Sequence, residues 1–593
     1  MNVIYILTIV LIISLHMLLY KKEEKQNFFS WLIVTIGLFF CYNICICVII
    51  SFVKIKSTLV TLSIINCITI FLLGLKIYKD KKIQKYNINK MDIISVIVIL
   101  ITVCVIAIKQ YGIPMNVKNS ITDASTHYWV ADEFYNYSML LIEDNSDVLG
   151  FFDERAFMPG SYINTGILFK IFSPIIEETY FCKLFIVFET FMWCLSGLLM
   201  YVLLSNNKKE EKQKFLPLIF SLIYMLGYPL NTLLSGFSYL QMGLNIIICI
   251  IFVMQQKIKQ EYRDILIFFL TFGIMFSYYY FAPVVFLAIF IQMIVEIKKR
   301  KEKIFSVKNI LSIVISLILP GMFGVIYFNI FQMIRFGLQV ENYYSNGINL
   351  PGAIYQNFIT NTIIFLMLSV FYICYSIKNK KEKFSNKILI ISIIFLIIAF
   401  IGMKFEKISE YYYYKIYYMI RIPLIIVAFN SIELFYKKNI ILTYIGIGIY
   451  SIGMIIAMFF NKNLLFFDIY QNNFEEVKAN YNLVSYKELE IMEYYNKNIN
   501  MYNVLDNNTY IYISNTKARA RWIYAITKNP YIYINAFLGE WPTSIQQFLE
   551  SQKQYCIIFK QDNCEEILNE IENVEGIKIL FQNDEGAILE KIN

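Results

Sequence analysis

Charged residues are scarce in this chain of 593 amino acids, at 16% of the total, whereas soluble proteins carry about 25%. Hydrophobic residues reach 58%, above the roughly 45–50% of soluble domains. This composition excludes an ordinary soluble globular protein, and the same numbers exclude a disordered one, which needs low hydrophobicity and high charge. Together with long apolar runs, the composition predicts a multi-pass membrane protein.

Signals for metal and nucleic-acid binding are also lacking. The chain has 2 His, and its 11 Cys show no CxxC or other metal-ligand spacing. Most of the cysteines lie in apolar stretches, where a thiol packs as a small hydrophobe. Cys556 and Cys564 lie in a polar region, and the sequence leaves open whether they pair. The net charge of +9 does not indicate a nucleic-acid partner, because the lysines form short clusters between apolar runs.

About fourteen windows are long and apolar enough to cross a bilayer, which takes about 20 residues. The first window lacks a basic leading region and a cleavage site, so it is predicted to be an anchor and not a removed signal peptide. The windows are 1–20, 28–53, 57–78, 91–109, 181–204, 215–230, 238–255, 263–278, 282–297, 309–331, 353–376, 387–403, 416–435 and 439–460.

The positive charges alternate between the two sides of the membrane. Loops after odd-numbered spans carry 28 Lys and Arg residues, and loops after even-numbered spans carry 9. The positive-inside rule therefore predicts that the first set is cytoplasmic and that both termini are extracytoplasmic. The predicted location is the cell membrane.

Two outward segments are too long to be simple connections, which usually run about 4–6 residues. They divide the chain into N-terminal transmembrane helices (1–110), a first long external loop with an amphipathic helix (111–180), a transmembrane core (181–460) and an extracytoplasmic α/β domain (461–593). The last part shows strand and helix patterns but no GxGxxG or GxxxxGKS/T fingerprint. Strands are predicted at 510–513, 531–534, 555–560, 577–581 and 587–591, and helices at 544–551 and 564–572.

The external loop contains the strongest candidates for chemistry. Asp123 begins a predicted helix over 124–142, and His127 follows one turn later on the same face. Asp123 is either a helix N-cap or a general base that takes a proton from a hydroxyl. His127 either assists it or is an interface histidine without a catalytic task. Asp132 and Glu133 fit the solvated face of this helix best.

This loop resembles the first external loop of GT-C glycosyltransferases, which use sugars linked to polyprenyl phosphate and include protein mannosyltransferases and aminoarabinose transferases. The resemblance is carried by Asp123, His127-Tyr128 and the stretch Phe157-Met158-Pro159-Gly160, together with the many spans and the external domain. The loop follows the fourth span and not the first, and Ala124 stands where many relatives have Glu. The resemblance implies a general-base role for Asp123 and substrate-binding roles for Tyr128 and Tyr162.

Cationic residues on the outward side are candidates for binding a lipid phosphate. Arg421 falls several residues inside the thirteenth window, a costly place for a guanidinium unless it meets an anion. Lys415 precedes it in the adjoining loop, and Arg335 lies in another outward loop. Pairing with Glu406 and Glu410 is the alternative for this lysine-containing loop.

The sequence thus predicts an α-helical polytopic membrane protein, GT-C-like, with a small extracytoplasmic α/β domain. Its expected activity is inverting transfer of a sugar from a polyprenyl-phosphate donor to an extracytoplasmic glycan, lipid or protein. Asp123 and His127 would be catalytic, and Arg421, Lys415, Arg335, Tyr128 and Tyr162 would bind substrate. A divalent metal is compatible with this activity, although no cofactor is certain, and no nucleic-acid partner is expected. A transporter, a flippase of lipid-linked oligosaccharides or a polymerase is the alternative.

Overall fold

The structure is a computed structural model in which the described residues are 2–21, 24–118, 122–140, 158–206, 214–336, 358–380, 383–405, 407–408, 410–460, 483–499, 509–512, 517–529, 544–562 and 565–592.

The described chain is mostly helical. Within the described ranges, eighteen α-helices precede the C-terminal domain: α1 Asn2–Leu18, α2 Phe28–Phe52, α3 Leu59–Asp80, α4 Lys90–Tyr111, α5 Thr122–Tyr137, α6 Gly160–Phe172, α7 Phe181–Ser205, α8 Phe215–Leu226, α9 Tyr228–Leu234, α10 Ser238–Gln255, α11 Gln260–Tyr278, α12 Ala282–Lys299, α13 Val307–Ile313, α14 Leu319–Phe336, α15 Phe358–Lys378, α16 Phe384–Lys404, α17 Glu410–Lys438 and α18 Ile440–Phe460. A π-helical turn, Val314–Ile318, joins α13 to α14. Two short parallel strands, β1 Gln26–Asn27 and β2 Tyr86–Asn87, link the loops before α2 and α4.

Ten helical stretches among the described residues are long and apolar enough to cross a membrane, or eleven if the bent pair α8–α9 is one span. This confirms a polytopic helical membrane protein, but the count of fourteen spans is not confirmed. Each predicted window does contain a helix, and the helix of the first window, Asn2–Leu18, falls short of span length.

One of the ten stretches, Gln260–Lys299, comprises α11 and α12 and folds back on itself. Arg263 in the first turns of α11 forms an ion pair of 2.6 Å with Glu296 near the end of α12. Arg300 donates a hydrogen bond of 2.7 Å to the Gln260 side chain at the same end. The two halves therefore run antiparallel, as the separate windows 263–278 and 282–297 predict.

Polar contacts mark the two ends of the bundle. At the end with the lysine-rich loops, the buried Asp92 carboxylate pairs with Lys214 at 2.7 Å and accepts a hydrogen bond of 2.6 Å from Tyr201. At the other end, Lys170 donates a hydrogen bond of 2.9 Å to the Ser57 carbonyl, and the Asn2 side chain donates a hydrogen bond to the Lys170 carbonyl. The first helix therefore begins at the same end of the bundle as the long loop 111–180.

Within that loop, α5 and α6 pack closely against each other. An added Cβ on Gly166 of α6 would lie 2.9 Å from the carbonyl oxygen of Ala131 in α5, so only glycine fits there. Helix α6 also enters the bundle, where Asn43 of α2 donates a hydrogen bond of 3.1 Å to Asn164. Helices α5 and α6 are therefore an integral part of one end of the bundle, and not a surface connection.

The C-terminal part contains a four-stranded mixed sheet with strand order β3-β4-β6-β5. Its elements are helices α19 Tyr486–Asn498, α20 Lys517–Thr527, α21 Ile545–Glu550 and α22 Glu565–Glu570, with strands β3 Thr509–Tyr512, β4 Tyr555–Phe559, β5 Ile577–Asn583 and β6 Gly586–Lys591. Strand β3 is parallel to β4, while β6 is antiparallel to both β4 and β5. A small C-terminal α/β unit is thus confirmed. The predicted strand 531–534 and Cys564 lie outside the described residues.

Candidate functional site

Helix α5 begins against the loop that joins α9 to α10. Gly236 in this loop has φ +72°, a backbone conformation that favours glycine. A Cβ built on Gly236 would lie 2.6 Å from the Cβ of Ala124, the buried residue that follows Asp123. This close approach fixes the position of the first turn of α5, which carries Asp123.

His127 lies one turn after Asp123 and is buried among aromatic rings. Its Nδ1 atom is 2.7 Å from the Tyr162 hydroxyl of α6, and the two rings are stacked with centroids 5.6 Å apart. The Tyr239 ring of α10 meets the imidazole edge-on at 4.7 Å. Two of the predicted site residues, His127 and Tyr162, are therefore direct neighbours.

Lys415 reaches the same cluster from α17. It is 1% exposed, and its Nζ donates a hydrogen bond of 2.7 Å to the Tyr239 hydroxyl. The ammonium also lies 3.8 Å from the centre of the Phe237 ring, a cation–π contact. Its charge acts on both Asp123 and His127. A cation from the distant helix α17 thus stands beside the predicted base and its histidine.

The surroundings keep His127 neutral. Burial lowers the pKa of its imidazole to about 3, and the nearby charge of Lys415 lowers it in the same direction. At neutral pH the ring therefore carries no charge and has one N–H donor and one acceptor nitrogen. His127 is suited to holding a neighbour in place by hydrogen bonding, and not to acting as a cation.

Arg421 lies six residues beyond Lys415 on α17, about 9 Å deeper at a rise of about 1.5 Å per residue. It is 1% exposed, and its guanidinium carbon lies 4.7 Å from the centre of the Tyr228 ring. The hydroxyls of Tyr224 and Tyr450 lie close enough to interact electrostatically with the guanidinium. The second cation of the site is therefore embedded among aromatic side chains within the bundle.

The helix that faces Arg421 is interrupted. Helices α8 and α9 bend by 41° around Gly227, directly before Tyr228. Asn231 of α9 accepts a hydrogen bond from the Tyr418 hydroxyl of α17, and the rings of Tyr418 and Tyr228 pack edge to face at 4.9 Å. The break therefore places polar and aromatic groups of α9 between α17 and the rest of the bundle.

Tyr128 lies away from this cluster. Its ring is 1% exposed and packs within 6.0 Å of Phe169 and Phe185, and within 5.9 Å of Trp522 in the C-terminal domain. Burial raises the pKa of its hydroxyl well above the ordinary value. The structure thus surrounds Tyr128 with protein, as a contact between α5 and the C-terminal domain.

Asp132 is buried, so the prediction that it belongs to a solvated helix face is wrong. Its carboxylate pairs with Lys528 of the C-terminal domain at 3.0 Å and accepts a hydrogen bond of 3.0 Å from Asn136. Lys528 also pairs with Glu178 at 2.8 Å. Burial lowers the pKa of Lys528, but these two carboxylates outweigh it and raise the pKa above its ordinary value. The C-terminal domain is therefore joined to α5 through a charged contact as well as an aromatic one.

Arg335 lies in the last turn of α14, and its side chain is outside the described part of the structure. Within the described ranges, no group of three or more His, Cys, Asp or Glu is close enough to hold a metal ion. Lys415 is a charged neighbour of Asp123, and its ammonium opposes a second cation at the same carboxylate. In the described part of the chain, Asp123 is thus not part of a set of ligands for a divalent metal.

Sequence reasoning missed Tyr239. It lies in the first turn of the apolar helix α10, and nothing in its local sequence distinguishes it from an ordinary interface tyrosine. Its role as the group between Lys415 and His127 depends on contacts between helices.

No protein-family model matches this chain, and no curated protein matches its sequence. The comparison with solved structures finds a similarity that covers 83% of this chain and 97% of the other, with 8% sequence identity and a TM-score of 0.40. The protein that this chain resembles in that comparison is ArnT from Cupriavidus metallidurans, in a crystal structure bound to undecaprenyl phosphate.

Proposed function

We propose that this protein is a membrane glycosyltransferase that takes a sugar from a polyprenyl-phosphate carrier and transfers it to an extracytoplasmic acceptor. The observation that supports this most is the link from the buried Lys415 through Tyr239 to His127, one turn after Asp123, with Arg421 about 9 Å deeper on the same helix as Lys415. A base next to one cation and above a second one suits a substrate with a sugar at one end and a phosphate at the other.

The reaction would use these groups in a single displacement. Asp123 accepts the proton of the acceptor hydroxyl while the oxygen of that hydroxyl forms a bond to the anomeric carbon of the sugar. The bond between that carbon and the phosphate oxygen breaks, and its electron pair leaves with the polyprenyl phosphate. Attack opposite to the leaving group inverts the anomeric centre.

The cations would stabilise the departing phosphate. Lys415 and Arg421 are both buried, and positive charge fixed in a site that excludes water interacts strongly with a developing anion. The guanidinium can bind two phosphate oxygens at once, while the ammonium acts as a compact charge. In the protein without substrate, Lys415 is held by its hydrogen bond to Tyr239, and an arriving phosphate would compete for this cation.

His127 and Tyr162 would position the base or the acceptor. Their 2.7 Å contact ties α5 to α6, and the neutral imidazole leaves its other nitrogen for a hydrogen bond within the cluster. We assign no direct chemical step to either residue.

The C-terminal domain would shape the acceptor side, since its Trp522 and Lys528 contact the same helix that carries Asp123. The topology predicted from the lysine-rich loops makes this side extracytoplasmic. Arg335 stays a predicted additional phosphate contact, and Tyr128 is proposed as a packing residue.

The test is a transfer assay with the purified full-length protein, a polyprenyl-phosphate sugar and a membrane-glycan acceptor extract. We expect Asp123→Asn to lose transfer by about 1,000-fold, because general-base catalysis contributes about 10²–10⁴-fold. Asp80→Asn is the matched control, since Asp80 pairs with Lys76 near the surface of α3 and the change removes the same charge. Near-normal transfer by Asp123→Asn would remove this residue from the mechanism.

The break between α8 and α9 favours a second candidate, a carrier protein that moves a lipid-linked sugar across the membrane. Transporters bind substrate at interrupted helices within the bilayer, and here the break lies beside Arg421. Reconstitution with a fluorescent polyprenyl-phosphate sugar separates the two functions. A flippase moves the lipid between leaflets without acceptor, whereas a transferase releases polyprenyl phosphate only when acceptor is present.

A further inference from the structure

An apolar cavity of about 420 Å³ lies between α8, α15, α17 and α18, apart from the Asp123 cluster. Most of its wall is hydrocarbon: the lining includes Phe220, Phe365, Phe435, Leu442 and Ile447. Such a wall favours a hydrocarbon chain and disfavours any polar solute, which would lose its hydrogen bonds with water.

The polar lining is concentrated at one end of the cavity, where α17 ends and α18 begins. Lys438, Asn439 and Thr443 form this end, which we call the mouth. Asn439 caps α18, because its side chain accepts a hydrogen bond of 3.0 Å from the Leu442 N–H and its carbonyl accepts one of 2.8 Å from Thr443. The exposed Lys438, next to Lys437, supplies positive charge at the mouth.

The cavity runs inward from this mouth. Leu442, Gly446 and Tyr450 all line it and follow one another at four-residue steps along α18, which spans about 12 Å. The mouth therefore opens at the end of the bundle with the lysine-rich loops, and the inner end reaches Tyr450, which lies in the middle of α18 and near Arg421.

We propose that this cavity binds one acyl chain of an anionic phospholipid from the leaflet on the lysine-rich side, with the phosphate at Lys438. A lysine at the entrance of an apolar cavity complements a lipid that has a negative headgroup and a hydrocarbon chain. The isoprenoid chain of the carrier is the competing occupant. Its phosphate, if bound at Arg421, would lie at the inner end of the cavity near Tyr450, whereas the exposed positive charge of Lys438 lies at the mouth, where a phospholipid headgroup would be. The proposal does not depend on the glycosyltransferase activity.

Two glycines of α18 make a matched pair for the test. A Cβ on Gly446 or on Gly448 meets nothing within 4 Å, so neither position is crowded. Only Gly446 lines the cavity. Leucine at position 446 would fill the cavity with side chain, whereas leucine at position 448 adds the same volume elsewhere on the same helix.

The experiment is native mass spectrometry of the full-length protein in detergent, titrated with phosphatidylglycerol or phosphatidylcholine. We expect Gly446→Leu to weaken the tightest phosphatidylglycerol binding about tenfold or more, with Gly448→Leu unchanged. Lys438→Gln should lower the ratio of the affinity for phosphatidylglycerol to the affinity for phosphatidylcholine. Equal binding by all three variants and the parent would overturn the proposal.

A competition arm identifies the occupant. Polyprenyl phosphate is added to the protein saturated with phosphatidylglycerol, and both Leu variants are compared. Persistence of the phospholipid supports the proposal. Displacement of one phospholipid by one carrier, together with loss of carrier binding in Gly446→Leu, would assign the cavity to the isoprenoid chain and overturn it.

Discussion

Lys415 and Tyr239 are joined by a hydrogen bond of 2.7 Å from the buried ammonium to the phenol oxygen, which links α17 to α10. The same tyrosine ring stands edge-on to His127, so a single aromatic residue touches both the cation and the histidine of the site. The position of Lys415 relative to Asp123 therefore depends on Tyr239.

Tyr239→Phe should lower transfer about tenfold or more while the protein still folds. A hydrogen bond to a charged group is worth about 1.5–3 kcal/mol, and its loss leaves Lys415 less well held. Transfer kinetics at varied donor concentration measure the effect. Tyr78→Phe is the control, because Tyr78 is 80% exposed on α3. Equal activity of the two variants would contradict a positioning role for Tyr239.

Arg421→Met should raise the KM for a polyprenyl-phosphate donor about 100-fold, since a buried guanidinium is the proposed partner of the phosphate. Arg421→Lys should recover only part of this, because lysine lacks the planar fork of donors. Arg300→Met removes an arginine from the opposite end of the bundle and should leave the KM unchanged. An unchanged KM in Arg421→Met would exclude phosphate binding at this residue.

Gly236→Ala should reduce activity and lower the thermal midpoint by several degrees. The new Cβ would meet Ala124 at 2.6 Å in a backbone conformation that costs about 1–3 kcal/mol for other residues. Gly448→Ala, in open space, should behave like the parent. Adding Ala124→Gly should restore little, because the backbone N and Cα of residue 124 lie 2.8 and 2.9 Å from the new Cβ. A Gly236→Ala variant as stable and as active as Gly448→Ala would contradict a role for this contact.

His127 should make the protein less stable in acid. Its pKa is about 3 when folded, against about 6.5 when unfolded, so between these values the unfolded chain binds more protons. Stability is therefore lost as pH falls below about 6.5, by about 2 kcal/mol at about pH 5. Thermal midpoints at several pH values should fall less steeply for His127→Gln than for the parent. The same slope in both proteins would contradict a neutral, buried His127.

Lys528→Met should loosen the C-terminal domain from α5, because it removes the ammonium that pairs with the buried Asp132 carboxylate at 3.0 Å. Breaking a buried ion pair costs about 3–5 kcal/mol. Limited proteolysis and hydrogen exchange of α20 report the change. Lys528→Met with Asp132→Asn should recover part of the protection. Lys497→Met is the control, since its pairs with Glu177 and Glu493 are exposed and such pairs contribute little.

The span pattern could be predicted because lipid offers no hydrogen bonds to the backbone, so a long apolar run has to form a helix. Asp123 and His127 could be placed together from their spacing of four residues on one helix. The burial of Asp132 could not be predicted, because the cation that pairs with it, Lys528, comes from the C-terminal domain. Glu133, the next residue on α5, is only partly buried, so two adjacent residues of this helix differ in burial.

The sequence by itself determined the membrane class, the order of the helices and four strands of the C-terminal sheet. These features follow from hydrophobicity and local periodicity, which act over a few turns of chain. Only the tertiary structure brought Lys415 and Tyr239 to His127, seated the α9–α10 loop on Ala124 and opened the apolar cavity beside α18. Contacts between helices far apart in the chain depend on how side chains of several elements fit together, and no local pattern encodes that fit.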